Sequence, residues 1–160
     1  MSAAPVSVTE ARAFLRLDDE MEDALVAGLI RAATELAEAY LGLTLVERVV
    51  EEAGVMPLRL RASPLVSIDE VRVAGTALPA NEWALRRRSD GNAELSLTNG
   101  GGEVTVRYRA GITPDWNGIP EAVRIGILRT VARMHAERDG AADAPPAAIA
   151  CWRPWRRVRL

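Results

Sequence analysis

A mixed α+β fold, a small helical bundle with a strand-rich middle, is predicted from three features of this 160-residue sequence. Apolar residues recur at three and four near both ends, which is the helical period, and between residues 44 and 109 the period falls toward two. The stretch from Glu103 to Arg138 carries both signals in succession. Val104, Val106 and Tyr108 alternate with Thr105, Arg107 and Arg109, the pattern of a half-buried strand. Gly111, Pro114 and Asp115-Trp116-Asn117-Gly118 then break it. Pro120 reopens the chain as a helix, because its missing N–H costs nothing in the first turn and its φ is already helical. Glu121 lies where a negative charge meets the positive end of the helix dipole. Val123, Ile127, Val131 and Met134 form one apolar stripe, Ile125 and Leu128 widen it, and Asp139-Gly140 ends it. A helix over residues 120–138 packed on a sheet is therefore expected.

The other elements follow in order. Ser7 with Glu10 three residues on has the form of a capping box. It predicts a helix over residues 9–16 with Ala11, Phe14 and Leu15 inward. Asp18, Asp19, Glu20, Glu22 and Asp23 precede a second periodic run, Leu25, Leu29, Ala33, Leu36, Ala37 and Tyr40. This predicts a helix over 19–41 with Gly42 as its C-cap. The acids lack the alternate spacing and central glycine of a Ca²⁺ loop, so capping and dipole compensation account for them. Strands are expected over 44–52, 58–62, 68–73, 83–88, 94–97 and 103–109. Asn99-Gly100-Gly101-Gly102 reads as a hairpin turn between the last two. It does not read as a phosphate cradle, since a strand and not a helix N-terminus follows it. Arg86-Arg87-Arg88 reads as the solvated end of a strand, with phosphate contact as the alternative.

Composition bounds the function. With 49% hydrophobic residues the chain can bury a real core, expected as one domain over residues 1–140 followed by an extended tail over 141–160. The net charge of −2 implies no global pull toward nucleic acid or membrane. Every basic residue is arginine. No apolar run reaches the length of a membrane span, and the start MSAAPVSV has no basic leader, so a cytoplasmic origin is expected. The single cysteine, Cys151, excludes an internal disulfide framework and a Cys-cluster metal site. The single histidine, His135, falls near a helix end, where the dipole favours it. Nucleophile elbow, phosphate loop, zincin and paired-cysteine patterns are all missing. Cys151 has arginines near it in sequence but no base partner. No catalytic, cofactor-binding or metal residues are expected, and no enzyme.

The tail has its own chemistry. Residues 141–150 are rich in Ala and Pro, and Pro145-Pro146 favours an extended path. The last ten residues hold Trp152 and Trp155, two of the chain's 4 tryptophans, with Arg153, Arg156, Arg157 and Arg159. Three readings compete: folding back on the domain, nucleic-acid binding by arginine and aromatic stacking, and docking on a protein partner. The last is favoured because Trp and Arg are the types most enriched at interface hot spots.

Taken together, AEAYLG closing the long helix, SPLVSIDEVRVAG, VTVRYRAGI, IPEAVRIGILRTVARMHAER and a tail closing on RRVRL form an ordered set over nearly the whole chain. This set resembles the head-tail connector (adaptor) proteins of tailed bacteriophages, closest to the branch in phages and gene transfer agents of alphaproteobacteria. The resemblance implies a homo-oligomeric ring, usually of twelve subunits, beneath a portal protein in a virion or phage-like particle, assembled in a host cytoplasm. It implies an extended channel for transient passage of double-stranded DNA and a platform for a tail-side stopper or tail-completion protein, with no membrane involved. It also implies that the C-terminal segment reaches the portal, which assigns that contact to Trp152, Arg153, Trp155, Arg156, Arg157, Arg159 and Leu160. A leash loses entropy on docking, and many tails acting together offset the loss. A closed ring needs two different surfaces. Glu35 and Glu38 on one helix and Arg124, Arg129 and Arg133 on another are candidates, with solvated helix faces as the plain alternative. The other functional reading is a small DNA-binding or packaging-associated protein, whose mark would be a steep loss of DNA affinity with salt.

Overall fold

The computed structural model describes residues 4–88, 92–137 and 143–156. Helices α1 (Val8–Leu15) and α2 (Asp23–Leu41) lead into strands β1 (Arg48–Val55), β2 (Leu58–Arg59), β3 (Leu65–Val73), β4 (Thr76–Ala77), β5 (Trp83–Arg87), β6 (Ala93–Leu97) and β7 (Glu103–Ala110). Helices α3 (Glu121–Ala136) and α4 (Pro146–Trp152) follow, and Arg153–Trp155 adds one 3₁₀ turn. The α+β class and the order of the main elements are those expected.

The start of α1 and the end of α2 obey their expected capping chemistry, whereas Glu22 before α2 makes no side-chain cap bond and Pro120 sits just before α3 with ψ 134°, outside the first helical position. The Ser7 hydroxyl oxygen accepts the Glu10 N–H at 3.1 Å, so α1 starts where the capping box predicts. Gly42 closes α2 at φ 69°, a left-handed conformation that glycine adopts without a Cβ clash. The long helix begins at Asp23 and not at residue 19. The acids before it form a turn instead, in which the Asp19 carboxylate accepts the Met21 N–H at 3.1 Å. Its buried stripe is Val26, Ile30, Ala33, Ala37 and Leu41. That is one position later than expected at the start, and Leu25 is 40% exposed. Phe14, expected inward, is 45% exposed, because α1 seats itself through Ala11 and partly buried Leu15. In α3 the expected Val123, Ile127, Leu128 and Val131 are buried, together with Gly126 and Thr130. The expected stop at Arg138, Asp139 and Gly140 lies outside the described residues.

The strands form two antiparallel sheets, ordered β1-β7-β3-β4 and β2-β6-β5. Central β7 buries Val104, Val106, Tyr108 and Ala110 and turns Glu103, Arg107 and Arg109 outward, as its alternation requires. The first strand begins at Arg48, not Thr44. The preceding residues are held elsewhere: the Thr44 N–H donates to the Ser63 carbonyl and the Glu47 N–H to the Thr113 carbonyl. Residues Asn99 to Gly102 do not make a hairpin. β6 pairs with β2 and β5, and β7 with β1 and β3, so the glycine run carries the chain from one sheet to the other. The local signal for a turn was real, but the partner of each strand is set by long-range packing.

Two cores result. One gathers the helices around Val26, Ile30, Ile127, Val131 and Trp152, and the other joins the sheets around Leu60, Val71, Leu95, Val106 and Tyr108. The tail is the main departure from expectation. Its middle is helix α4 and not an irregular extended path, and Pro146 opens that helix at a first-turn position suited to proline.

Candidate partner-docking surface at the C-terminal segment

The C-terminal segment is built onto α3 through one residue pair. Trp152 is 0% exposed. Its indole N–H donates to the Val123 carbonyl at 3.1 Å, so the polar edge of the buried ring is satisfied. The ring reaches α3 because Gly126 has no side chain there: a Cβ at that position would lie 2.1 Å from Trp152 Nε1. Tyr40 of α2 meets the indole with ring centroids 5.9 Å apart and planes tilted by 42°.

Arginines fasten the rest of the segment. Arg129 donates to the Ala147 carbonyl at 3.1 Å and reaches the Cys151 sulfur at 3.6 Å. Arg133 pairs with Asp143 at 3.6 Å and with Glu137 at 3.2 Å. The Arg156 guanidinium lies over the Tyr40 ring, 5.1 Å from its centroid, a cation–π geometry. Beyond these contacts Arg153 and Arg156 are exposed and Trp155 is 46% exposed. Arg157, Arg159 and Leu160 lie outside the described residues.

The seven residues assigned to docking thus divide. Trp152 is an internal anchor, folded back on its own domain. Trp155, Arg153 and Arg156 form a half-open aromatic and basic tip. Gly126 and Tyr40 belong to this constellation and were missed. A glycine inside a helical stripe is a signal of close approach, but the residue that approaches is not written in the local sequence.

The five charged residues considered for a subunit interface are mostly engaged within the chain. Glu38 grips Arg48 at 2.7 and 2.9 Å and accepts the Leu45 N–H at 2.8 Å. Donating to the Glu38 carboxylate pushes the Arg48 pKa up from its ordinary value. Arg124 pairs with Glu10 at 2.5 Å and Glu121 at 3.0 Å, and covers the Trp116 ring at 5.0 Å. Arg129 and Arg133 hold the C-terminal segment, as above. Glu35 is exposed beside a groove of about 330 Å³ that Arg31, Thr34 and Val46 also line. That groove brings together an ion pair and aliphatic surface, with no nucleophile–base arrangement.

His135 faces Glu22, with 2.7 Å between Nε2 and the carboxylate, so it links the end of α3 to the turn before α2. Among the described residues, no group of three or more His, Cys, Asp or Glu could hold a metal ion. No helix among them is long and apolar enough to cross a membrane.

Residues 5–75 match the model of a family described as phage gp6-like head-tail connector proteins. This chain is similar to the gp6-like head-tail connectors. The matched region spans α1, α2 and the chain through β3. Solved structures extend the likeness to the whole fold. A chain in the neck of an empty gene transfer agent (GTA) particle, computed with C6 symmetry, is 25% identical at a TM-score of 0.75, covering 100% of this chain and 95% of that one. A chain in the virion of a native GTA particle is 22% identical at 0.75, covering 100% and 94%. A chain in the neck of a native GTA particle, computed with C12 symmetry, is 23% identical at 0.70, also covering 100% and 94%. No curated protein matches the sequence. The partial family match and the likeness to a GTA neck chain support a structural connector role.

Proposed function

We propose that this protein is a connector subunit of a phage-like particle, assembling as a ring beneath the portal, extending the DNA channel and joining capsid to tail. The observation that carries this reading is the whole-chain likeness to a chain in a GTA neck, at 25% identity and a TM-score of 0.75. The C12 symmetry of the native GTA neck supports a ring of twelve. The tail-side face then receives a stopper or tail-completion protein.

Portal docking falls to Trp155, Arg153 and Arg156, with Arg157, Arg159 and Leu160 continuing the same chemistry. Trp152 acts one step back, holding the start of the tip on α3. An exposed tryptophan flanked by arginines is a hot-spot composition, each such residue worth about 2 kcal/mol or more once desolvated. Repetition around a ring multiplies the effect. Glu35 remains available for a neighbouring subunit.

The test is co-sedimentation with the portal protein of the same particle. Ending the chain at Gly140 would also strip Trp152 from the helical core, so loss of binding would have two causes. The cleaner variants are a chain ending at Arg156 and Trp155→Ala. The full chain should join the portal in a fixed ratio and the two variants should bind more weakly with unchanged melting temperature. Equal binding by all three would remove the docking role of the tip. No binding by the full chain at low salt would remove the connector reading.

A further inference from the structure

The connection between α1 and α2 carries apolar surface that the fold does not use. Phe14 stands in the last turn of α1 and Leu25 in the first turn of α2, and Met21 lies in the connection between them. Met21 is 90% exposed, and Phe14 and Leu25 are open to solvent as well. The helical core is closed without them, through Ala11, Val26 and Ile30. The connection is nevertheless held in place. Arg12 donates to the Asp18 carbonyl at 3.4 Å and pairs with Glu20 at 3.6 Å and Asp23 at 3.5 Å. Asp18, Asp19 and Glu20 are exposed beside the apolar side chains, against one exposed arginine, Arg16. The turn is thus an apolar surface with an acidic rim.

The C-terminal tip is its counterpart. Trp155 lies between Arg153 and Arg156, all three exposed. No carboxylate side chain follows Asp143 in the sequence, and Arg157 and Arg159 add to the positive charge. An aromatic residue with a basic rim matches an apolar surface with an acidic rim. The two do not meet within one subunit. Arg156 lies over Tyr40 in the last turn of α2, whereas Leu25 is in its first turn. The helical rise from Leu25 to Tyr40 is about 22 Å. The residues after Arg156, Arg157 to Leu160, reach about 14 Å when fully extended. Tip and turn therefore sit at opposite ends of one rigid helix, each out of reach of the other.

We propose that the α1–α2 turn of one copy is the docking site for the C-terminal tip of a second copy, with Trp155 set against Met21, Phe14 and Leu25 and the tip arginines against Asp18 and Asp19. An aromatic residue on a flexible methionine gives the contact a centre that excludes water, and guanidinium–carboxylate pairs form its rim. Nucleic acid does not fit this turn, because its acids repel phosphate. Tip and turn are different surfaces, so the contact is heterologous and successive copies join head to tail. The portal reading uses the same tip, so the two contacts exclude each other in one subunit: a neighbour's turn holds the tip in the free protein, and the portal takes it during assembly. The contact goes beyond the connector reading and does not depend on it.

The experiment is sedimentation velocity on the full chain alone, over a concentration series reaching about 1 mM. The wild type should self-associate, and less so in about 500 mM NaCl than in about 50 mM. Met21→Ser and Asp18→Arg should each weaken the association about tenfold or more, at unchanged melting temperature. Adding Arg153→Glu to Asp18→Arg should restore most of it, because the exchanged charges attract again. An equal mixture of the Met21→Ser and Trp155→Ala chains should stop at dimers, since one intact tip then finds one intact turn. Met21→Ser should also bind the portal at least as well as wild type, its tips being free. A chain that stays monomeric throughout the series, or oligomers that ignore both turn substitutions, would overturn the contact. So would loss of portal binding by Met21→Ser, which would assign the turn to the portal. A full chain that self-associates through tip and turn but ignores the portal would sink the connector reading and leave this contact standing.

Discussion

The helical half closes its core with Trp152, a residue that returns from the C-terminal segment into a notch left by Gly126. The β half closes its core from within its own strands, with Tyr108 of β7 hydrogen-bonded to Glu52 of β1 at 2.9 Å. The first closure is apolar, with one N–H to satisfy. The second is polar: the Tyr108 hydroxyl also accepts the Ala62 N–H at 3.1 Å, and Arg61 Nε faces the same carboxylate at 3.2 Å. An apolar plug fails by leaving a cavity, whereas a polar plug fails by leaving partners unpaired. The two halves therefore break under different substitutions.

The largest effect is expected from Trp152→Ala. Removing a fully buried indole should cost about 3–5 kcal/mol, read from urea unfolding. Hydrogen exchange sharpens the comparison: amides of α2 and α3 should lose more protection than those of β7. Equal loss would mean that both halves unfold as one unit and that the contrast is only geometric. Gly126→Ala attacks the same contact from the other side. Its new methyl collides with the indole, so an alanine that would ordinarily favour the helix should instead cost about 1–3 kcal/mol. Combined with Trp152→Ala it should cost almost nothing further, because the collision is gone.

In the β half, Tyr108→Phe keeps the ring but strands the Ala62 N–H and removes one donor from Glu52. A loss of about 1–3 kcal/mol is expected, seen as a lower denaturation midpoint at unchanged slope. The same hydroxyl gives a pH signature. Burial, first, and the bond to Glu52 push the Tyr108 pKa up to about 12 from its ordinary 10. The folded state therefore holds this proton after the unfolded state has released it. The stabilisation is complete below pH 10 and is lost as pH rises from about 10 through about 12. The wild-type midpoint should fall across that window more than that of Tyr108→Phe. Parallel curves would show that the hydroxyl ionises no differently in the two states.

Periodicity made the helices and the inward face of β7 legible, because a 3.6-residue or two-residue repeat is a local consequence of burial on one side. What stayed hidden was every choice between distant partners. Asn99 to Gly102 has turn chemistry in either topology, and only the pairing of β6 with β5 and β2 rules out a hairpin. Trp152 and Trp155 look alike in sequence, yet Gly126 accepts the first and leaves the second half in water. The resemblance to connectors was carried by several weak segments in order. The docking tip was half legible: its chemistry was read, and its internal anchor was not.

The smallest effect tests whether local capping adds to the long-range closure of the helical half. Ser7→Ala removes the oxygen that accepts the Glu10 N–H, which should cost about 1 kcal/mol, whereas Ser7→Gly should cost only a few tenths, since glycine also suits an N-cap backbone. Helix α1 has a second tie, the ion pair from Glu10 to Arg124 of α3. If thermal melts give the alanine variant its full cost, the cap and the tie act independently, and α1 is held both locally and across the core. If the alanine variant melts like wild type, α1 is held by its contacts with α2 and α3, among them the Arg12–Asp23 pair, and the helical half depends on distant contacts even at its N-terminal end.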